Sequence, residues 1–273
     1  MAKITLPETL SEVESYNPRL MIWYGQPKSG KSSAVAALNS IGKTLVLDLE
    51  NGYSALPVYK LQLTKASEIF GVREAILEKT AKNGKPPFRF IALDNVTRLE
   101  EFSVPYANKL YRQTPMGKDW GYKKDELGRI LVQDGKRIVD PEADVRNLPQ
   151  GGGWGYMRTA MQKLIEALMG ISETLILVGH VKDKQINLNG EEINQLSLDL
   201  TGKTGAIVSG IADAIGLIYR KGNETHISFI GGEATIKAAR NKHLAEKDFI
   251  IATSKKDDKG ELEITYDLSK LFV

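Results

Sequence analysis

Short apolar runs alternate with longer amphipathic stretches through the first two thirds of the chain. Leu20-Met21-Ile22-Trp23-Tyr24, TLVLD at 44–48 and FRFIAL at 88–93 have the length and content of strands buried on both faces. Between them the periodicity predicts helices over 31–40 and near 66–81, and a third from about Thr97 to Tyr111. Alternation of this kind predicts a parallel sheet with crossover helices. A Gly-, Asp- and Lys-rich tract follows over about 112–153, too long for an ordinary connection and therefore read as an insertion. Met157, Met161, Leu164 and Leu168 then recur at steps of four, three and four, the apolar stripe of a helix over about 155–170, and are read as core. ETLILVGH at 173–180 reads as a buried strand with a polar end, and 181–205 as a polar loop. Short strands are expected near 213–219, 225–230, 234–239, 248–252 and 262–267. No internal repeat or low-complexity tract stands out.

Composition narrows the class. A chain of 273 residues, 42% hydrophobic, can bury one large α/β core, and a single domain over 1–273 is expected. Lys and Arg number 37 against 34 Asp and Glu, a formal charge of +3, so any anion-binding surface must come from local clustering. The long tract is balanced too: nine Lys/Arg and eight Asp/Glu between 101 and 149 leave +1. Without cysteine there is no disulfide, no thiolate chemistry and no Cys-based zinc site. The first twenty residues carry neither the apolar core of a signal peptide nor a spanning segment, and no later run reaches the apolar length a membrane helix needs. A soluble protein of the cytoplasm, the host's if the chain is viral, is the expectation.

Chemistry enters at Gly25-Gln26-Pro27-Lys28-Ser29-Gly30-Lys31-Ser32, followed by Ser33, which fits G-x-x-x-x-G-K-[ST]. Its backbone N–H groups can wrap a pyrophosphate, with Lys31 reaching the β- and γ-phosphates and the Ser32 hydroxyl holding Mg²⁺. The strand before it and the helix after it are the context that pattern requires. A nucleotide site also needs an acid for the metal, and Asp94 ends an apolar strand at the sheet edge where ligands gather, with Asn95 and Thr97 close by. For the group that orients water, LVLDLENGYSALP offers Asp48 and Glu50; Glu50 is chosen, and Asp48 is assigned to the opposite side of the pleat or to the loop.

These residues resemble the RecA/RadA recombinase core, especially the compact RecA-like AAA-domain ATPases of bacteriophages linked to single-strand annealing recombination, over roughly 20–250. The recombinase strand apolar-Asp-x-Glu before Ala-Leu is similar to LDLENGYSALP and implies the catalytic glutamate at Glu50. The metal-site strand ending Asp-Ser is similar to ALDNVTRL, with Asn95 in place of serine. A glycine-bearing DNA loop before a Met-rich helix is similar to GGGWGYMRTAMQKLIEALM, and TLILVGHVK puts His180 where the recombinases carry a glutamine that senses the γ-phosphate. The alternative for His180 is a strand-end cap. TIKAARNKHL resembles the strand whose cations reach a neighbour's nucleotide, which implies Arg240 and Lys242, two residues apart on one strand face; the alternative is an exposed basic edge.

The resemblance implies a RecA-like P-loop NTPase core: a mostly parallel central sheet flanked by helices, with antiparallel C-terminal strands. It also implies ATP and Mg²⁺ as cofactors and DNA-stimulated ATP hydrolysis. It implies a homo-oligomer, ring or filament, with nucleotide between subunits. Single-stranded DNA is the implied partner, with a single-strand-binding or replication protein as a further candidate. In the loops at 149–156 and 181–205, Trp154 and Tyr156 are the candidates to stack bases and Lys182, Lys184 and Lys203 to neutralise phosphates, diluted by Asp183, Glu191 and Glu192; the rings could equally lock a turn by packing. Two other classes stay open. A small-molecule kinase would use Arg112 and Arg129 as lid arginines, and an interaction module would hold nucleotide with little turnover.

Overall fold

The computed structural model describes residue 8 and residues 16–188, 191–256 and 260–273. The N-terminal stretch used above to argue against a signal peptide therefore lies outside the described residues except for residue 8 and residues from 16 onward.

The chain runs β1 (Leu20–Gly25), α1 (Lys31–Ala37), β2 (Thr44–Asp48), β3 (Tyr59–Gln62), α2 (Glu68–Asn83), β4 (Phe90–Asp94), α3 (Val96–Phe102), α4 (Val104–Arg112), β5 (Val132–Gln133) and β6 (Lys136–Arg137). It continues through α5 (Gly153–Leu168), β7 (Thr174–Leu188), β8 (Glu191–Leu198), α6 (Thr204–Ile211), β9 (Ala214–Lys221), β10 (Glu224–Ser228), β11 (Ala238–Ala239), β12 (Asp248–Lys256) and β13 (Leu262–Tyr266). One sheet organises it, in the order β13-β12-β10-β9-β1-β7-β4-β2-β3. From β9 to β3 every neighbour is parallel, whereas β9, β10, β12 and β13 alternate as an antiparallel extension. The expected mixed sheet is thus the observed one.

The apolar runs explain the middle of it: β1, β2 and β4 are buried at every position. Burial on both faces follows from helices on both sides, and the side chains divide by pleat. Leu20, Ile22 and Tyr24 enter one cluster with Met161, Leu164 and Leu168 of α5, while Met21 and Trp23 enter the other with Ala34 and Val35 of α1. The β1–α1 loop therefore emerges at the C-terminal end of the central strand, between parallel β7 and β9, the crevice where α/β sheets take ligands.

Four expectations are corrected. The helix read over 97–111 is two, broken at Ser103, because Pro105 lacks the N–H a continuous helix needs and sits comfortably in the first turn of α4. β3 was absent from the reading; all four of its residues are exposed, so it has no hydrophobic signature. The 181–205 segment is no loop: β7 runs on past the sheet and folds back as β8, with Val181 opposite Leu198, before α6 begins at Thr204. The strand expected at 234–239 shrinks to Ala238–Ala239. The long tract carries the small β5–β6 hairpin and is anchored by Val145, which is buried with Ala107 of α4 and Met157 and Ala160 of α5.

Among the described residues, no helix is long and apolar enough to cross a membrane.

Candidate functional site

The loop from Gly25 to Ser32 is built by close packing from beneath. A Cβ on Gly25 would lie 2.3 Å from the Ile218 carbonyl oxygen of β9 and 2.9 Å from Ser29 Oγ, so no other residue fits there without moving the strand. Gly30 turns the chain into α1 with φ of 100°, and Lys28 adopts φ of 65° at the loop's exposed crown. Lys31 is 6% exposed; its Nζ donates to the Gly25 and Gln26 carbonyl oxygens at 2.8 Å each, which holds the ammonium under the loop. Burial pushes this ammonium below its ordinary range, and the carboxylates of Asp94 and Glu50 pull it back up. Ser29 is 6% exposed, and its Oγ is buried without a hydrogen-bond partner among the described residues. A buried cation, an orphaned hydroxyl and a helix start with no capping side chain or acidic residue form a donor set that fits a phosphate chain. A phosphate chain bound there would be cradled by Gly25 through Ser33, with Ser32 and Asp94 on the metal side.

Asp94 follows from register. β2 and β4 are parallel neighbours with Asp48 opposite Asp94, so two carboxylates end adjacent strands. They do different work. Asp48, 1% exposed, accepts the backbone N–H groups of Glu50 and Gly52 on Oδ1 at 3.0 and 3.2 Å, and that of Tyr53 on Oδ2 at 3.4 Å. It thereby shapes the turn after β2, the loop alternative of the two the sequence left open for it. Asp94, 8% exposed, accepts the Ser32 hydroxyl at 3.0 Å and the Tyr53 phenol at 2.6 Å, both on Oδ2. Burial raises its carboxyl above the ordinary range; the two hydroxyl donors act the other way, Glu50 adds to the rise and Lys31 opposes it. With its proton directed at Asp94, the Ser32 oxygen keeps lone pairs for a cation.

Glu50 stands clear of the packing, with 46% of its side chain exposed and Oε2 3.9 Å from His180 Nε2. His180 lies at the level of Gly25 on β7, the strand beside β1. Its Nε2 is 3.0 Å from Asn95 Nδ2. The amide orientation is fixed because Asn95 Oδ1 caps α3 by accepting Arg98 N–H at 2.7 Å. Nε2 therefore accepts from Asn95 and the ring proton sits on Nδ1, which is buried without a partner among the described residues. The Asp94–Asn95 peptide is cis. Lys31, Ser32, Glu50, Asp94 and His180, chosen from separate stretches of sequence, are thus gathered at the ends of β1, β2, β4 and β7.

The other candidates lie elsewhere. Arg240 is at the opposite end of the sheet: β11 pairs with the start of β9, and Arg240 donates to the Gly210 carbonyl oxygen at 3.1 Å and faces Asp213 at 3.6 Å, its side chain 61% exposed. Arg240 and Lys242 share no strand face, because β11 ends at Ala239 and both residues occupy the bend and turn that follow; the alternation argument for pairing them fails. Lys242 is exposed. Trp154 and Tyr156 are half-buried in the first turn of α5 and pack against the Ala107, Val145, Met157 and Ala160 cluster, with the Tyr156 ring 5.1 Å from Tyr111. Gly153 lets α5 start hard against that cluster, since a Cβ there would fall 1.6 Å from the Val145 carbonyl oxygen. Both rings therefore have a packing role in this structure.

Lys182 donates to the Leu200 carbonyl oxygen and faces Asp199 at 3.6 Å, whereas Lys184 and Lys203 are exposed. Of the two arginines considered for a kinase lid, Arg129 is bonded to Asp125 at 2.8 Å and Arg112 lies over the Tyr122 ring at 5.5 Å, so both are engaged within the insertion. Sequence reasoning missed Tyr53; nothing in the spacing of LENGYSALP distinguishes a tyrosine that turns in to Asp94 from one that faces solvent.

A glycine-lined loop leading from a central parallel strand into a helix, over a buried lysine and beside a strand-end aspartate, defines a P-loop nucleotide-binding protein. The chain belongs to the AAA domain family, whose sequence profile matches residues 17–248. Among solved structures that match is one titled crystal structure of the RadB recombinase, at TM-score 0.41 and 10% identity, with 90% of each chain covered. No match to a curated protein sequence was found.

Proposed function

We propose that this chain is a RecA-like ATPase that binds and hydrolyses ATP with Mg²⁺ and acts on single-stranded DNA in recombination, annealing or replication of the bacteriophage type. The observation that carries the reading is the convergence at one sheet edge of Lys31, the Ser32–Asp94 pair at 3.0 Å, and Glu50 beside His180 at 3.9 Å. Bound there, Mg·ATP supplies the phosphoanhydride to be cleaved and the charge the loop neutralises. Lys31 and the loop amides hold the phosphates, and Ser32 and Asp94 hold the metal side. Glu50, exposed just past the end of β2, orients a water and takes its proton. His180, bonded to Asn95 and facing Glu50, reads the γ-phosphate position.

Hydrolysis in trans accounts for Arg240 and Lys242. In this reading they stand at the end of the sheet away from their own loop and serve a neighbouring subunit's nucleotide in a homo-oligomeric ring or filament; the position of β11 at the start of β9 supports it. Single-stranded DNA runs along the β7–β8 hairpin side, where Lys184 and Lys203 are the exposed cations. Trp154 and Tyr156, half-buried at the start of α5, stack bases at its edge while also shaping that end of the helix. A single-strand-binding or replication protein is the further partner, and the host cytoplasm the place of action.

The test is the rate of ATP hydrolysis with and without single-stranded DNA across protein concentration. Rates that rise with DNA, and more than linearly with protein, support the reading. Phosphate transfer to a small metabolite, or nucleotide binding with no turnover under any of these conditions, refutes it.

A further inference from the structure

Tyr53 is 1% exposed, and both of its ends are fixed to strand termini. Its backbone N–H donates to Asp48 Oδ2 at 3.4 Å at the end of β2, and its phenol donates to Asp94 Oδ2 at 2.6 Å at the end of β4. The ring is buried in the same cluster as Val35, Val46 and Ala92, so the hydroxyl is aimed by packing rather than by chance rotation. A donor–acceptor distance of 2.6 Å is at the short end of the range for a hydroxyl on an oxygen acceptor. Glu50 sits within the span this residue closes. The turn from Asp48 to Tyr53 is stitched by the Glu50 and Gly52 N–H groups to Asp48, and its far end is pinned to Asp94 by the phenol.

We propose that Tyr53 is a positioning residue that orients Asp94 toward the metal side of the site and keeps the Glu50 turn in register with it. The proposal rests on the nucleotide reading above and deepens it. The physical argument is one of competition. Ser32 and Tyr53 share one oxygen of Asp94, and Ser32 must also present lone pairs to the cation; the phenol has no such second duty and fixes the carboxylate whatever Ser32 does. Without it, a carboxylate that is 8% exposed loses a donor that water cannot readily replace, and is free to turn toward the Ser32 hydroxyl alone.

The test compares the wild-type chain with Tyr53→Phe, which keeps the ring and removes only the hydroxyl. Three quantities are measured: binding of a fluorescent ATP analogue in EDTA, Mn²⁺ affinity of the nucleotide complex by electron paramagnetic resonance, and the Mg²⁺ dependence of turnover. The expected result is unchanged metal-free nucleotide binding, Mn²⁺ bound about tenfold more weakly, the size of losing one hydrogen bond to a charged acceptor, and turnover that excess Mg²⁺ partly restores. Mn²⁺ affinity within twofold of wild type overturns the proposal. So does loss of nucleotide binding in EDTA, which makes Tyr53 a packing residue. A wild-type chain that binds no nucleotide in either condition overturns the site reading itself, and that failure is visible before any variant is made.

Discussion

Replacing Glu50 by glutamine separates catalysis from everything else at this site. The side chain is 46% exposed, and His180 Nε2 is 3.9 Å from its Oε2, beyond hydrogen-bonding range. An exposed pair at that separation is worth at most about 1 kcal/mol, and an isosteric change there alters folding stability by roughly 0.5 kcal/mol or less. The turn itself is held by the backbone N–H of residue 50 on Asp48 at 3.0 Å, which glutamine retains. Phosphate binding is unaffected as well, because the contacts that grip the chain come from the loop and Lys31. What is lost is a carboxylate able to orient water and accept its proton, an effect of about 10²–10⁴ in rate, or roughly 2.7–5.4 kcal/mol in the barrier. Single-turnover phosphate release gives the rate, titration with a fluorescent ATP analogue gives the affinity, and thermal melting gives the stability. The expected outcome is a rate lower by at least about a hundredfold with the other two unchanged. Wild-type turnover in Glu50→Gln would remove Glu50 from the mechanism; a parallel loss of nucleotide affinity would show that the exposure argument is wrong.

Gly25→Ala forces a Cβ to within 2.3 Å of the Ile218 carbonyl oxygen; overpacking of this kind costs about 1–3 kcal/mol, so a melting point lower by several degrees together with loss of nucleotide binding is expected, and a stable, ATP-binding variant would show that β9 yields. For Arg240→Ala, whose side chain is 61% exposed, the fold should hold while turnover falls, and mixing with Lys31→Ala chains should restore part of it; activity in a dilute monomer refutes a cation supplied in trans. Burial pushes the phenols of Tyr24 and Tyr53 well above the ordinary tyrosine value of 10.0, against the Ile236 carbonyl bond for Tyr24 and with the added charge of Asp94 for Tyr53. Below that value both states are protonated; above it the unfolded chain releases these protons and the folded one keeps them. Stability is therefore complete below pH 10 and falls by about 1.4 kcal/mol per pH unit for each such phenol as pH rises further. Urea midpoints between pH 9 and 11 should drop less steeply for Tyr24→Phe than for wild type, and equal slopes would contradict the assignment.

How far the sequence carried these conclusions depended on whether a residue's surroundings are written locally. β1, β2 and β4 were legible because strands buried on both faces must be apolar at every position, and their carboxylate ends, Asp48 and Asp94, were legible because the run stops there. β3 was not, since an exposed Tyr59-Lys60-Leu61-Gln62 carries no burial pattern and owes its pairing to β2. The β7–β8 hairpin was missed for a related reason: beyond Val181 β7 leaves the sheet and is exposed at 183–185, and among the described residues of β8 only Ser197 and Leu198 at its foot are buried, too few to show an alternation of period two. Among site residues, Gly25 through Ser33 form a pattern that is itself local. Glu50 and His180 needed a resemblance to be singled out, and their approach to one another was visible only in three dimensions. Tyr53 and the carbonyl oxygen of Ile218 act on the loop through tertiary contacts that no spacing encodes. Arg240 and Lys242 were placed on one strand face by counting, and the early end of β11 removed the strand on which that count relied.

The arrangement around His180 also explains why the β7–β8 hairpin belongs to the site although it projects beyond it. His180 accepts from Asn95 on its side chain and, through its carbonyl oxygen, from Asp199 N–H at 2.9 Å at the foot of β8. The Asp199 carbonyl oxygen accepts from Thr97 Oγ1 at 3.0 Å, and two residues on, Thr201 donates both its N–H and its hydroxyl to Glu100, which is 9% exposed. Asn95, Thr97 and Glu100 all belong to α3 or its cap. One short helix therefore grips both feet of the hairpin and the imidazole beside Glu50. These contacts are part-buried and share partners on α3, so breaking one leaves neighbouring polar groups less well satisfied. In the ATPase reading above, a displacement of His180 would therefore be felt through α3 at the feet of the hairpin. Any coupling through these contacts is reciprocal, so whatever shifts the feet of the hairpin is felt at His180 as much as the reverse, and it requires no residue of the hairpin to touch nucleotide.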